Sequence, residues 1–379
     1  MKSLLKLFWI LGVSLIALSF TACSDDDDDP KSAESALLEM KFDDDIVTVQ
    51  PIITGTDIKF FVAYDATEED LKEMVPAITV SNKATVNPAS GSKVDFSGDP
   101  VKFTVTAEDG INKTVYSVSY QRIGKYDFEE WVEEGVANHF ASGLKIPFYA
   151  PVGSWSSSNK GAALIISSGK ATQVVVTKTD DAHSGNGAAR IETILSNNID
   201  GTGSSMYPVV TTGSLFLGSF SVSLNVLAST KFGIPYNKKT VAIKGYYKYL
   251  PGTDFYRSTE KSRNKVTLEE NTTDKCAINA ILYEIDDENS PYITGVDTYK
   301  FEKNEKLVAV AKLADGTAKA EYTAFQIDFK DKDGNTAYAY DPTKKYRMSI
   351  ICSSSAEGDT FSGAPGSVLF VDDIEVISE

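Results

Sequence analysis

From Val241 to Leu250 apolar and polar side chains alternate, and this alternation constrains the fold more than any other feature of the chain. Val241, Ile243, Tyr247 and Tyr249 fall on one face of an extended strand, with Gly245 leaving a gap among them. Lys244, Tyr246 and Lys248 fall on the other. A period of two kept up over this length is a sheet signal rather than a helical one, and it commits one face to a core. The opposite face carries an aromatic ring between two cations. Just upstream, Gly213 and Gly218 bracket a short apolar strand, and Gly233 with Pro235 makes a turn. The same character runs through the chain: 18 Tyr and 19 Phe accompany Val/Thr/Ser alternation, while a sustained helical pattern is hard to find. This is the composition of an all-β protein.

The N-terminus bounds where such a chain works. Lys2 and Lys6 precede an apolar run, Leu7–Leu18, which is too short to span a bilayer with its flanks and suits a signal peptide. The run ends in Phe20-Thr21-Ala22-Cys23, small residues ahead of a cysteine. Residues 1–22 are therefore expected to be removed and Cys23 lipidated, with plain secretion after Ala22 as the alternative. Two or more acyl chains on one cysteine hold a protein stably at a membrane. Residues 23–32 read as a stalk, because the run Asp25–Asp29 repels itself and cannot pack. The net charge is −16 and no basic run occurs, which argues against nucleic acid or an anionic membrane surface as partner. Of the three cysteines, Cys276 and Cys352 remain after lipidation. Two buried thiols on separate strands are the favoured reading; a disulfide is the other one open in an oxidising compartment.

Two domains are expected, over residues 33–122 and 123–379. In the first, short strands at Leu37–Phe42, Ile58–Tyr64, Ala77–Val80, Val101–Ala107 and Thr114–Tyr120 alternate with turn signals, and Thr67–Met74 reads as a turn or two of helix. Strand number and spacing suggest an immunoglobulin-like sandwich, with Asp109-Gly110 and Asn112-Lys113 in a hairpin connection. This stretch has no histidine, cysteine or tryptophan, so it reads as a spacer. The second domain opens at Tyr126–Trp131 and closes with Val368–Ile377, with Gly/Ser/Asn/Asp loops between strands, consistent with a two-sheet jelly roll.

The stretch Gly213–Gly252, together with WSSSN at 155–159, GAARIET at 187–193 and the closing VLFVDD at 368–373, resembles the PCMD (putative carbohydrate metabolism domain) family of Bacteroidota lipoproteins. The resemblance covers roughly the last two thirds of the chain; the first domain resembles the Ig-like spacers found near the anchor of such lipoproteins. It implies a lipid-anchored protein of the outer membrane, the acidic run after Cys23 serving as an address for the outer face. It further implies a glycan as partner, with a neighbouring surface lipoprotein or transporter as a further one.

Candidate binding residues follow from chemistry that suits sugars. Trp155 sits in a Gly/Ser loop where an indole can stack on a sugar ring, with Asn159 placed to bond hydroxyls; folding back to plug the sandwich is the alternative. Tyr246 is a second platform. The loop Pro251–Arg257 brings Asp254, Tyr256 and Arg257 together. Arg190 and Glu192 share a strand face, where they pair with each other or line a ligand face. In the closing strand, alternation places Phe370, Asp372, Ile374 and Val376 on one apolar face, where a bare carboxylate is costly. The similar Asp-Asp pair in jelly-roll carbohydrate-binding modules implies a structural calcium, held by Asp372 with Asp127 or Glu129; a capped turn or a paired cation is the alternative. Carboxylates are too abundant to single out a glycosidase pair, and the two histidines come without a GxSxG motif. The sequence thus favours non-catalytic carbohydrate binding, with a jelly-roll glycoside hydrolase or a structural, adhesive subunit as alternatives.

Overall fold

The computed structural model describes residues 30–63, 66–259, 263–297 and 300–379. The expected signal peptide, Cys23 and the run Asp25–Asp29 lie outside the described residues.

Residues 37–123 form an all-β unit. Strands Val47–Thr54, Asp57–Ala63, Lys113–Ile123, Val101–Thr106 and Thr85–Asn87 make one sheet in that spatial order, and Leu37–Phe42 pairs with Pro76–Val80 in a second. Asp57–Ala63 and Lys113–Ile123 run parallel, and Val101–Thr106 and Lys113–Ile123 form the expected hairpin. Between the sheets Phe42, Phe60, Phe96 and Phe103 pack at ring-centroid distances of 4.6 to 6.3 Å. The short helix Glu68–Leu71 begins on a capping box: Thr67 accepts from the Asp70 amide while Asp70 accepts from the Thr67 amide.

From Lys125 onward two larger sheets face each other. The first has six strands: Val176–Thr179, Ala188–Glu192, Val368–Ser378, Thr240–Leu250 and Lys319–Asp328 in order, with Lys125–Tyr126 on Val368–Ser378. The second has eight: Ile293–Thr294, Thr230–Phe232, Ser214–Phe220, Lys345–Ser353, Ala277–Ile285 and Leu307–Lys312 in order, with Trp155–Ser157 and Ile234–Pro235 alongside. The inner faces meet in one core, Ile243, Tyr247, Tyr249, Leu369 and Val371 from one sheet against Leu215, Leu217, Ile278, Leu282 and Ile350 from the other. The central strand of each sheet comes from the end of the chain.

The strand Thr240–Leu250 keeps the expected alternation from Ile243 to Tyr249 and loses it before Ile243, where Ala242 is buried and Val241 only half-buried. Ile243, Tyr247 and Tyr249 are buried, and the gap left by Gly245 is filled from the neighbouring strand. A Cβ at Gly245 would stand 3.0 Å from the ring of Phe325 and 3.1 Å from the Ile374 backbone.

The eight-stranded sheet differs from a one-sided sheet. Its outer face also carries apolar residues, Phe216, Ile281, Tyr283 and Ile351, clustered with Phe232 and Ile293. The helix Asn159–Ser167, which the composition did not suggest, buries Ala162, Ile165 and Ile166 in the core between the sheets and packs on the strand Trp131–His139. Asn159 fixes its start: the side chain accepts from the amides of Val175 and Val176 and donates to the Val176 carbonyl. Cys276 and Cys352 are both free and buried. Burial pushes the Cys276 thiol up to about 12 and the Cys352 thiol well above its ordinary range.

In the closing strand the expected alternation fails at one point. Tyr246 lies opposite Asp372 but Lys244 lies opposite Glu375, so Val368–Ser378 carries one extra residue there. Asp373, at this β-bulge, takes the left-handed conformation, φ 48°. Leu369 and Val371 face the core before the bulge and Ile374 and Val376 after it. Phe370 and Asp372 are thereby turned to the outer face, which corrects the expectation that Asp372 shares a face with Ile374.

Candidate functional site

The expected ligand residues do not converge. Trp155 is 4% exposed, and its indole packs edge-on against Tyr126 at 5.0 Å and tilted against Phe128 at 5.3 Å. The Gly/Ser context is no loop tip: Trp155–Ser157 is a strand paired with Leu215–Leu217. Trp155 is therefore a core residue, and the expectation of a sugar-stacking indole is corrected. Asn159 is fully buried and spent on the backbone of 175–176. Arg190 pairs with Glu192 at 2.7 Å, as two same-face neighbours do.

Tyr246 lies on the outer face of the six-stranded sheet, but the loop 180–187 covers it. His183 stacks on its ring, and Lys244 and Lys248 are bound to Glu375 and Asp181. The same loop accounts for Asp372. Its Oδ2 accepts from the amides of His183 and Ser184, at 2.8 and 3.2 Å, and its Oδ1 from that of Asp373. Burial still raises its carboxyl above the usual range. Asp127 is exposed and accepts from the Glu129 amide. A calcium shell needs six or more oxygen ligands. Among the described residues no group of three or more His, Cys, Asp or Glu gathers to hold a metal. The Asp372–Asp127 pair therefore does not fit a calcium site.

A groove of about 820 Å³ opens instead over the outer face of the eight-stranded sheet. Phe220, Phe232 and Ile351 form its floor; the helix Asn159–Ser167 walls one side through Gly161, Leu164 and Ile165. Gly161 lies close under Phe220: a Cβ there would stand 3.3 Å from the ring, which would have to give way slightly. The loop 205–212 brings Tyr207, and the loop 353–361 brings Ser353, Asp359 and Phe361. Asp359 reaches solvent yet sits within a concavity, and this desolvation raises its carboxyl. Glu357 adds to the effect and Lys300 opposes it. Arg263 is the cation of the lining, held by donation to the Met206 carbonyl at 3.2 Å. Phe361 holds φ 59°, a conformation that costs a bulky residue energy and keeps its ring at the groove.

The expected loop Pro251–Arg257 takes part from behind. Tyr256 bridges to Gly363, and Arg257 binds Glu357 at 2.5 Å and also Glu269, so this loop buttresses the segment carrying Asp359 and Phe361. Both partners raise the Arg257 pKa, Glu357 the more. Asp254 is exposed, outside the groove lining. Asp274 completes the support. It is 2% exposed and accepts from the hydroxyls of Ser355 and Ser367 at 2.6 and 2.8 Å and from the amide of Ala364 at 2.8 Å. Burial raises its carboxyl, those three bonds opposing.

Two crystal structures resemble the chain over most of its length. One, from Bacteroides thetaiotaomicron and described as a putative glycoside hydrolase, is 28% identical and covers 94% of this chain and 99% of its own, with a TM-score of 0.56. The other, from Bacteroides vulgatus and described in the same words, is 27% identical, covers 68% of this chain and 98% of its own, and has a TM-score of 0.52. No curated relative matches. Residues 37–119 match the domain described as "SGBP, N-terminal". Residues 127–377, two thirds of the chain, match the family described as "Putative carbohydrate metabolism domain", and the chain belongs to that PCMD family.

Proposed function

We propose that this chain is a surface-anchored lipoprotein whose second domain binds a glycan without cleaving it, in the groove over the eight-stranded sheet. One observation carries the reading: this concavity combines aromatic rings (Tyr207, Phe220, Phe361) with hydroxyls, one carboxylate (Asp359) and one guanidinium (Arg263). Rings stack on the C–H faces of sugars, and a few polar groups orient them. The match of residues 37–119 to an SGBP N-terminal domain supports display at the cell surface and glycan binding. The lipid anchor at Cys23 rests on the sequence. No helix among the described residues is long and apolar enough to cross a membrane. The expected neighbouring lipoprotein or transporter belongs to the proposal as well. The test is affinity electrophoresis against a panel of polysaccharides, wild type beside a Phe220→Ala, Phe361→Ala double variant. Retardation lost in the variant supports the reading; retardation unchanged places the glycan elsewhere and overturns it.

A second reading, a glycoside hydrolase, is favoured by Asp359. A carboxyl with a raised pKa in a concavity suits a general acid. A hydrolase of the usual kind needs a second carboxylate across the bond, and among the described residues lining the groove Asp359 is the one carboxylate. Reducing-sugar release that disappears in Asp359→Asn would establish the hydrolase instead.

A further inference from the structure

Phe60 and Phe61 are neighbours on one strand and serve two different cores. Phe60 is buried with Phe42, Phe96 and Phe103 in the core of the first domain. Phe61 is 6% exposed and belongs to the same buried cluster as Tyr126, Phe128 and Trp155 of the second. Val49 lies opposite Phe61 on the adjacent strand, and with Ile52 it packs against that second cluster. Successive residues of a strand point to opposite faces, so the strand Asp57–Ala63 is covered on both sides around Phe60 and Phe61. A spacer that only carries the next domain would leave the outer face of its sheet to water.

The crossing between the domains is equally tight. Ile123 ends the last strand of the first domain and Lys125 begins the first strand of the second, with Gly124 alone between them. Ile123 is itself part of the second domain's cluster. Gly124 takes φ 108°, a conformation suited to glycine, and its carbonyl accepts from the Val376 amide at 2.6 Å. Lys125 and Tyr126 pair at once with Glu375 and Ile374. At the far end Ser32 is held by both of its backbone groups: its amide donates to Glu108 Oε2 at 3.0 Å and its carbonyl accepts from the Asp109 amide at 3.1 Å. Domains of one chain move against each other when few contacts cross a loose linker. Here the linker is a single hydrogen-bonded residue and the crossing contacts are buried and apolar.

We propose that the two domains form one rigid body, in which the first completes the core of the second through Val49, Ile52, Phe61 and Ile123. The first domain is then a bracket that fixes the direction of the groove relative to Ser32, in place of the expected spacer. The inference goes beyond the glycan-binding reading and does not depend on it.

The test uses the chain carrying Cys23→Ser, with nitroxides on Lys102→Cys and Gln326→Cys, exposed strand positions in the two domains. Cys276 and Cys352 are buried and stay unlabelled in the folded state. Pulsed EPR is expected to give one narrow distance distribution; a broad or two-peaked one overturns the inference. A second measurement follows urea unfolding of the Cys23→Ser chain by thiol labelling of Cys276 and Cys352, which reports on the second domain alone. Phe61→Ser is expected to lower that midpoint by roughly 1 M. An unchanged midpoint overturns the inference, because in independent domains Phe61 is only a surface residue of the first. The distance measurement leaves the interface intact and decides by itself if Phe61→Ser does not fold.

Discussion

The imidazole of His183 lies flat on the phenol of Tyr246, ring centroids 3.4 Å apart and planes 12° from parallel. His183 Nδ1 also stands 2.8 Å from Asp373 Oδ2, and Tyr322 donates to the carbonyl of Asp181 at 2.6 Å. The loop 180–187 is thus fastened over the six-stranded sheet. Removing the stack with His183→Ala is expected to cost about 1 kcal/mol in urea unfolding and to speed amide exchange in 180–187. Tyr246→Ala is expected to leave glycan affinity unchanged within about twofold. A tenfold loss would return the site to this face.

Trp155 gives the opposite pattern. As a buried ring packed on Tyr126 and Phe128, its replacement in Trp155→Ala is expected to cost about 4 kcal/mol. The check is chemical denaturation with both fluorescence and circular dichroism. A variant as stable as wild type yet unable to bind glycan would contradict the core assignment.

Asp274 sets a pH dependence. Its folded-state pKa is raised above the ordinary 3.8, chiefly by burial. The folded state therefore holds the proton more tightly than the unfolded chain. The stability this provides is fully present below 3.8 and is lost as pH rises through the raised value. Asp274→Asn is expected to flatten the melting-temperature profile from 3.8 upward. Asp274→Ala leaves Ser355, Ser367 and the Ala364 amide without their acceptor and is expected to cost about 3 kcal/mol. It is also expected to weaken glycan binding by loosening the segment that holds Asp359 and Phe361. Affinity unchanged in a folded Asp274→Ala protein would show that the buttress does not shape the groove.

Asp372 separates a capped loop from a metal site. Chelator is expected to leave the melting temperature unchanged. Asp372→Ala is expected to lower stability by about 2 kcal/mol, because the amides of His183 and Ser184 lose their acceptor. A calcium-dependent rise in melting temperature, abolished by that substitution, would reverse the assignment.

Much of the fold was legible because it was written in periodicity. Ile243–Tyr249 alternates cleanly, Leu37–Phe42 falls on the expected residues, and Thr67–Met74, read as a turn or two of helix, contains the helix Glu68–Leu71. The errors have local causes. At Asp373 one extra residue reverses the faces of the strand, and nothing in the alternation marks where a bulge falls. Trp155 was misplaced because Gly and Ser around it resemble a loop, while the strand that pairs with it, Ser214–Phe220, lies far along the chain. The helix Asn159–Ser167 is short and carries Gly161 in its first turn. The groove was hidden most thoroughly. Its lining is gathered from between Ser158 and Phe361, and residues such as Val222 and Leu224 look like core until the tertiary structure leaves them facing water.

The middle strands of the two sheets, Lys345–Ser353 and Val368–Ser378, follow every other strand of those sheets along the chain. Until they emerge, Ser214–Phe220 has no neighbour on one side and Thr240–Leu250 lacks the strand with which it shares most of its length. A nonsense mutation that removes only the residues after 344 would therefore cost both layers at once. The two sheets of the second domain close only once both strands have been made.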